Sequence, residues 1–172
     1  MKPKIPPKEL TDFIRQNISY CRLTGLLTWK TASPKGLPAG RSCGNLNKFG
    51  YLRFKVSVNG VPYTVIAHRV AWLLHYGEWP ELEIDHINSN RIDNRIENLR
   101  QATRSQNMCN TRRANKEGLK GVKLKKDCNR WEAQIRVRGK HYYLGLHSTA
   151  EAAHEAYCEA AKRLHGEYSS TK

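Results

Sequence analysis

The sequence predicts an α+β fold made of two small modules, and three observations carry that expectation. Leu52, Phe54, Val56 and Val58 alternate with Arg53, Lys55 and Ser57 and run into Asn59-Gly60, the pattern of a half-buried strand entering a tight hairpin. Trp131, Ala133, Ile135 and Val137 alternate in the same way with Glu132, Gln134, Arg136 and Arg138. Between and around these runs the apolar period changes to that of helices, at Leu10, Phe13, Ile14 and Ile18, at 68–76, and at Ala153, Ala156, Tyr157, Ala160, Ala161 and Leu164.

In chain order, a Pro-rich arm at 2–7 precedes the first helix, and Leu26-Leu27-Thr28-Trp29 is a candidate strand. The strand at Tyr51–Val58 pairs through Asn59-Gly60 with Val61–Ala67, and a helix from His68 to Tyr76 stops at Gly77 and Pro80. Trp72 and His75 read as packing residues of that helix, whereas His68-Arg69 suits either packing or contact with an anion. Ile84–Ile87 is a short apolar strand, and Thr103–Asn110 a short helix.

The later module opens after the basic stretch Arg112–Lys116. Arg138-Gly139-Lys140 turns the Trp131 strand into a second one, in which Tyr142, Leu144 and Leu146 are expected on the core side and His141, Tyr143 and Gly145 on the other. Ser148-Thr149-Ala150-Glu151 fits a capping box at the start of a helix that Gly166 ends. Small alanines on the helix stripe let it lie close to a sheet. The expected result is a three-stranded antiparallel sheet packed on one helix.

Charge narrows the class of partner. The 172 residues contain 30 Lys and Arg against 15 Asp and Glu, a net charge of +15, and basic residues are in excess both in 1–110 and in 111–172. A surplus that large and that widely spread points to a polyanion. No apolar run is long enough to span a bilayer, and MKPKIPPKEL lacks the apolar stretch of a secretory signal. The chain is therefore expected in the cytoplasm, neither secreted nor held at a membrane. Five scattered cysteines, Cys21, Cys43, Cys109, Cys128 and Cys158, fit neither a disulfide framework nor the short spacings of a zinc site, so no zinc is expected. His154 and Cys158, one helical turn apart, lack a third ligand nearby.

Residues 84–110, IDHINSNRIDNRIENLRQATRSQNMCN, concentrate the chemistry. Asp85 and His86 stand side by side at a strand end, Asn98 lies twelve residues beyond His86, and Asn107 nine beyond that. A strand, a loop and a helix folded together would join Asp85 and Asn107 as hard oxygen ligands and leave His86 to take a proton from water. Oxygen donors of this kind suit one Mg²⁺ or Mn²⁺ ion, and a histidine titrating near neutrality suits a general base. Phosphodiester hydrolysis needs both of these, together with something to hold the site, for which Asn98 is the candidate.

These residues resemble the HNH nuclease family in its His-Asn-Asn variant, of the phage and intron homing-endonuclease type. YCRLTGLLTWK, GNLNKFGYLRF, HRVAW and YGEWP, which precede the motif here, resemble the segments that precede it in that branch. The resemblance implies a ββα-metal fold with His86 as general base, Asp85 and Asn107 as metal ligands, and Asn98 in support. Where the commonest pattern has a second histidine, this chain has Asn107.

The later module resembles the Apetala-type domain of plant ethylene-response factors, also found appended to phage homing endonucleases, through GLKGVKL, RWEAQIRV, YYLGLHSTAEAAHEAY and AAKRLHGE. The resemblance implies duplex DNA contacts from Lys120, Lys123, Lys125, Gln134, Arg136, His141 and Tyr143. Strand alternation adds Arg138. Several of these differ from the plant residues, so the docking mode carries over and the sequence preference does not.

The combined expectation is an endonuclease module at 1–110, a basic linker at 111–117 and a DNA-binding domain at 118–170. It would act on double-stranded DNA as a monomer with no obligate protein partner. One centre per chain implies nicking or slow two-step cleavage. The competing expectation is a DNA-binding regulator with a non-functional nuclease centre; an RNA nuclease fits less well, because A-form RNA hides the groove that a hairpin reads.

Overall fold

The computed structural model describes residues 4–32, 38–109, 119–137 and 139–168. The chain forms two compact units, residues 1–103 and 104–172. The linker stretch 111–117 and Arg138 lie outside the described residues.

In the first unit, α1 (Lys8–Asn17) buries Leu10 and Ile14. Burial of each side chain of this size contributes about 2 kcal/mol. The helix ends where Asn17 Nδ2 donates to Phe13 O. Ile18, which the helical period includes, is instead the first residue of β1 (Ile18–Tyr20), antiparallel to β2 (Leu27–Trp29). Its side chain reaches the same core from extended backbone, because helix and strand meet there.

A three-stranded sheet follows, in the order β3 (Asn45–Leu46), β4 (Leu52–Val58), β5 (Val61–Ile66). Asn59 and Gly60 both have positive φ, 51° and 79°, and Val58 pairs with Val61, which is the two-residue hairpin turn that Asn-Gly favours. Phe54, Val56, Val58 and Val65 face a core shared with Leu10, Ile14, Trp29 and Leu73. Arg53 and Lys55 face solvent.

Helix α2 (Ala67–Tyr76) begins directly after β5 and ends at Gly77, left-handed at φ 82°, whose N–H donates to Leu73 O. Its Val70 and Leu73 enter the main core. Ala71 and Trp72 meet Ile84 and Leu99 of the next hairpin. That hairpin is β6 (Glu83–His86) antiparallel to β7 (Leu99–Ala102), with Asp85 opposite Arg100 and His86 opposite Leu99. The one strand expected here is thus a pair, closed by a long loop that ends in a single 3-10 turn at Ile96–Asn98. α3 (Arg104–Cys109) comes next in the chain and belongs to the second unit.

The second unit contains the expected three-stranded sheet, in the order β8 (Val122–Lys125), β9 (Arg130–Val137), β10 (Lys140–His147), and the long helix α4 (Ala150–His165). Val122, Ala133 and Ile135 pack on Ala150, Ala153, Tyr157, Ala160 and Ala161. Three details differ from the sequence reading. The register of β10 against β9 shifts between Tyr143 and Gly145, a β-bulge that inserts one residue and reverses the alternation beyond it. Leu146 therefore pairs with Glu132 and is 37% exposed, while Leu144 packs on the helix. The cap of α4 is Thr149, whose Oγ1 accepts from Ala152 N at 3.2 Å; this places Glu151 one residue too early to close a capping box. Leu164, at the far end of the helix stripe, is exposed.

Among the described residues, no helix is long and apolar enough to cross a membrane, and Cys21, Cys43, Cys128 and Cys158 are free thiols.

Candidate active site and DNA interface

Strand β6 carries Asp85 and His86 into the interior, each 4% exposed. Successive strand residues point to opposite faces, so the two side chains find different partners. Arg100, cross-strand from Asp85, brings Nε to 2.9 Å and a terminal nitrogen to 2.8 Å from Asp85 Oδ2. His86 turns to the other side, where its ring lies 5.2 Å from that of His68 and 5.8 Å from that of Tyr51. Its Nε2 is 3.2 Å from Asn94 Oδ1.

Burial sets the protonation of this cluster. Desolvation drives the His68 imidazole down to about 3, with the neighbouring His86 and Arg69 adding in the same direction. Desolvation also lowers His86, against the opposing effects of the Asn94 hydrogen bond and of Asp85. Both rings are neutral at neutral pH. His68-Arg69 resolves to packing on both counts: His68 is buried, and Arg69 lies over the Trp79 ring and donates to Lys4 O. Trp72 and His75 both lie against Tyr76, and His75 is exposed.

The loop from Ile87 to Asn98 is shaped by its own amides. Asn98 Oδ1 accepts from Asn88 N at 2.9 Å and its Nδ2 donates to Asp93 O at 2.8 Å, so Asn98 ties the two ends of the loop. Asn88 Nδ2 donates to Asp93 Oδ2. The Arg95 fork takes both oxygens of Asp93, which holds that carboxyl down to about 2. Asn94, 1% exposed, is fixed three times: its Oδ1 toward His86, its Nδ2 to Ile92 O at 3.4 Å, and its carbonyl by the Tyr20 hydroxyl at 2.8 Å.

Of the predicted catalytic residues, Asp85, His86 and Asn98 lie on the same hairpin and its loop, but their side chains have different partners: Arg100 for Asp85, Asn94 for His86, and Asn88 with Asp93 for Asn98. Asn107 sits on α3 in the second unit, half-buried. Asn94, Arg100, Tyr51 and His68 are partners that the sequence reading missed. Asn94 had no local signal to separate it from Asn88, Asn90 and Asn98, and Arg100 becomes a partner of Asp85 only through the register of β7.

For a metal ion, the donor types fit a hard cation: the Asp85 carboxylate, amide oxygens and the phosphate of a substrate. Among the described residues, no group of three or more His, Cys, Asp or Glu side chains is placed to hold a metal ion.

In the second unit, cross-strand partners share a face. Lys123 opposes Glu132, Gln134 opposes Tyr143, and Arg136 opposes His141. Lys123, Lys125, Gln134, Arg136, His141 and Tyr143 therefore stand on the sheet face away from α4. Lys125 reaches Glu132 at 3.4 Å, and Arg136 Nε donates to Gly139 O. Lys120 lies in the turn before β8, where its carbonyl accepts from His154 Nδ1 at 2.9 Å. His154 Nε2 is in turn 3.4 Å from Cys158 Sγ, so this pair braces the turn.

A family model described as HNH endonuclease matches residues 65–109, and one described as AP2 domain matches residues 117–167. "Protein 3.8" of Escherichia phage T7 is 29% identical over 104 residues, which cover 59% of this chain and 85% of that protein. A solved structure described as "DNA binding and cleavage by the HNH homing endonuclease I-HmuI" is 24% identical over 54% of this chain, with a TM-score of 0.40. The match spans 49% of that chain, about half its length. Two segments of the chain are thus similar to known families, residues 65–109 to HNH endonucleases and residues 117–167 to AP2 domains.

Proposed function

We propose that the protein is a site-selective DNA endonuclease in which His86 is the general base. The observation that carries this reading is the buried His86–Asn94 contact, on the strand residue that follows Asp85 and within the segment matched by the HNH model. Asn94 Nδ2 is engaged by Ile92 O, so its Oδ1 faces His86 as an acceptor and the proton of the neutral ring belongs on Nε2. Nδ1 is then the nitrogen that takes a proton from the attacking water. Asn98 holds the loop in which this happens.

Asp85 and Asn107 are the candidate ligands for one divalent ion, Mg²⁺ or Mn²⁺, which when bound supplies charge neutralisation at the phosphate. Arg100 holds the Asp85 carboxylate in place through Nε and a terminal nitrogen. The sheet face with Lys123, Lys125, Gln134, Arg136, His141 and Tyr143 is proposed to dock in a groove of duplex DNA, as two-stranded ribbons do, with Lys120 and, from the sequence alone, Arg138 as further candidate contacts. We read residues 1–110 as the cutting module and 118–170 as the reading module, acting as a monomer that nicks one strand per binding event. The phage relative supports placing it in the cytoplasm of a bacterial cell.

The test is cleavage of supercoiled plasmid and of phage or host genomic DNA at fixed low salt with Mg²⁺ or Mn²⁺. The native chain is compared with His86→Ala and with an EDTA control. Metal-dependent nicking that disappears in His86→Ala is the expected result. Binding without cutting on every substrate and metal would instead establish a DNA-binding regulator.

A further inference from the structure

The turn between β3 and β4 is built to hold an aromatic ring out in solvent. Asn47 Oδ1 accepts from the backbone N–H groups of Phe49 at 2.8 Å and Tyr51 at 3.0 Å. Asn47 N donates to Tyr51 O, and Gly50 N donates to Asn47 O. Gly50 closes the turn at φ 79°, a conformation open to glycine. On this pinned backbone the Phe49 side chain is 59% exposed, with Lys48 Nζ 5.0 Å from its ring centroid.

Single exposed apolar side chains are ordinary; what distinguishes Phe49 is the attachment of its turn. Arg91, in the loop that follows His86, donates to Phe49 O at 2.7 Å and lies over the Tyr51 ring at 5.0 Å. Tyr51 in turn lies against His86. The wedge-shaped tip is thus fastened to the catalytic loop, whose own Ile87 and Ile92 are exposed apolar residues. On the adjoining sheet, β3, β4 and β5 contain no carboxylate, and Arg53 and Lys55 stand on the solvent face with Asn45 and Thr64. An apolar tip flanked by cations matches a duplex, with its stacked apolar interior and anionic rim.

We propose that Phe49 inserts from the minor groove between two base pairs of duplex DNA beside the bond presented to His86, with Lys48, Arg53 and Lys55 on the flanking phosphates. The proposal rests on the DNA reading above and specifies how the first unit grips its substrate. Apolar wedges of this kind unstack a step and kink the duplex, at a cost repaid by added contact. The pinned turn loses little freedom on insertion, and Arg91 fixes the spacing between the opened step and the base.

Insertion unwinds DNA, and unwinding is measurable without knowing the target site. Closed-circular plasmid is relaxed by a metal-independent type I topoisomerase in EDTA, with the native full chain, Phe49→Ala or Phe49→Trp, and the bound protein is quantified in parallel at the same salt. The native chain is expected to lower the linking number in proportion to the protein bound. Phe49→Ala is expected to lose that shift per bound chain, and Phe49→Trp to keep it. Equal unwinding per bound chain by Phe49→Ala, or binding by the native chain with no unwinding, would overturn the wedge and leave the nuclease reading standing. Failure of the native chain to bind plasmid at all would remove the DNA reading and the wedge with it.

Discussion

Asn94 Oδ1 lies 3.2 Å from His86 Nε2, with both side chains buried and the asparagine backbone held by Tyr20. In the proposed mechanism this contact fixes the tautomer of the base. Asn94→Leu is expected to lower kcat by about 100-fold, the low end of what general-base catalysis supplies, with KM unchanged because Asn94 is buried at 1% exposure. Single-turnover nicking read against DNA affinity checks it; an unchanged kcat would remove Asn94 from the mechanism.

Arg100 and Asp85 form a pair that is nearly excluded from water, with side chains 13% and 5% exposed. Arg100→Met strips the cation from a buried carboxylate and is expected to destabilise the first unit by about 3 kcal/mol. Adding Asp85→Asn removes the stranded charge and should restore much of that loss. Urea denaturation of the single and double variants measures the coupling, and additive losses would count against the pair.

His68 makes stability depend on pH. Its folded value is held at about 3 against the ordinary 6.5 by burial, so above 6.5 the ring is neutral in both states and stability is full. Below 6.5 the unfolded chain takes up a proton that the native chain refuses. Stability then falls by up to about 1.4 kcal/mol per pH unit until pH nears 3. His86, lowered in the same direction, adds to the slope, whereas Asp93, held at about 2, stays charged through most of this window. Denaturant midpoints at pH 7, 6, 5 and 4 should decline for the native chain and decline less for His68→Gln.

Two glycines test the two units separately. A Cβ at Gly25, where φ is 74°, would sit 2.5 Å from Arg95 N and 2.7 Å from the Asn94 carbonyl carbon, so Gly25→Ala is expected to displace the Asn94 loop and reduce cutting. A Cβ at Gly121, where φ is 77°, would sit 2.0 Å from the Tyr157 ring. Gly121→Ala should therefore loosen the sheet from α4 and weaken DNA retention. Each should cost about 2 kcal/mol or more, given the strain and the clash together. Nicking rate and gel retention, read on both variants, should separate; a common effect on both readouts would contradict the assignment of roles.

Much of this molecule is written locally. Asn59-Gly60 specifies its turn because few residue pairs accept two positive φ angles, and the alternating strands and the Ala-rich helix stripe follow from period alone. Asp85-His86 stands out as a candidate in the sequence because an acid and an imidazole at the end of a strand are unusual and Asn98 and Asn107 follow at a set spacing. β7 does not. Leu99-Arg100-Gln101-Ala102 has no alternation of its own and becomes a strand by pairing with β6. Leu146 stands on the face opposite to the one its period predicts, because a single inserted residue at the β10 bulge reverses every side chain after it, and period counting does not detect an insertion.

The amino-acid sequence by itself determined the α+β class, the helix and hairpin periods, the basic charge, and the residue types available for acid-base and oxygen-donor chemistry, because each depends on neighbours within a few positions. The tertiary structure decided which of the loop asparagines meets His86, that Arg100 holds Asp85, that His68 stays neutral, and that Phe49 is fastened through Arg91 to the loop after His86. Those outcomes depend on burial and on contacts between residues far apart in the chain. Desolvation and cross-strand register exist only once the chain has folded.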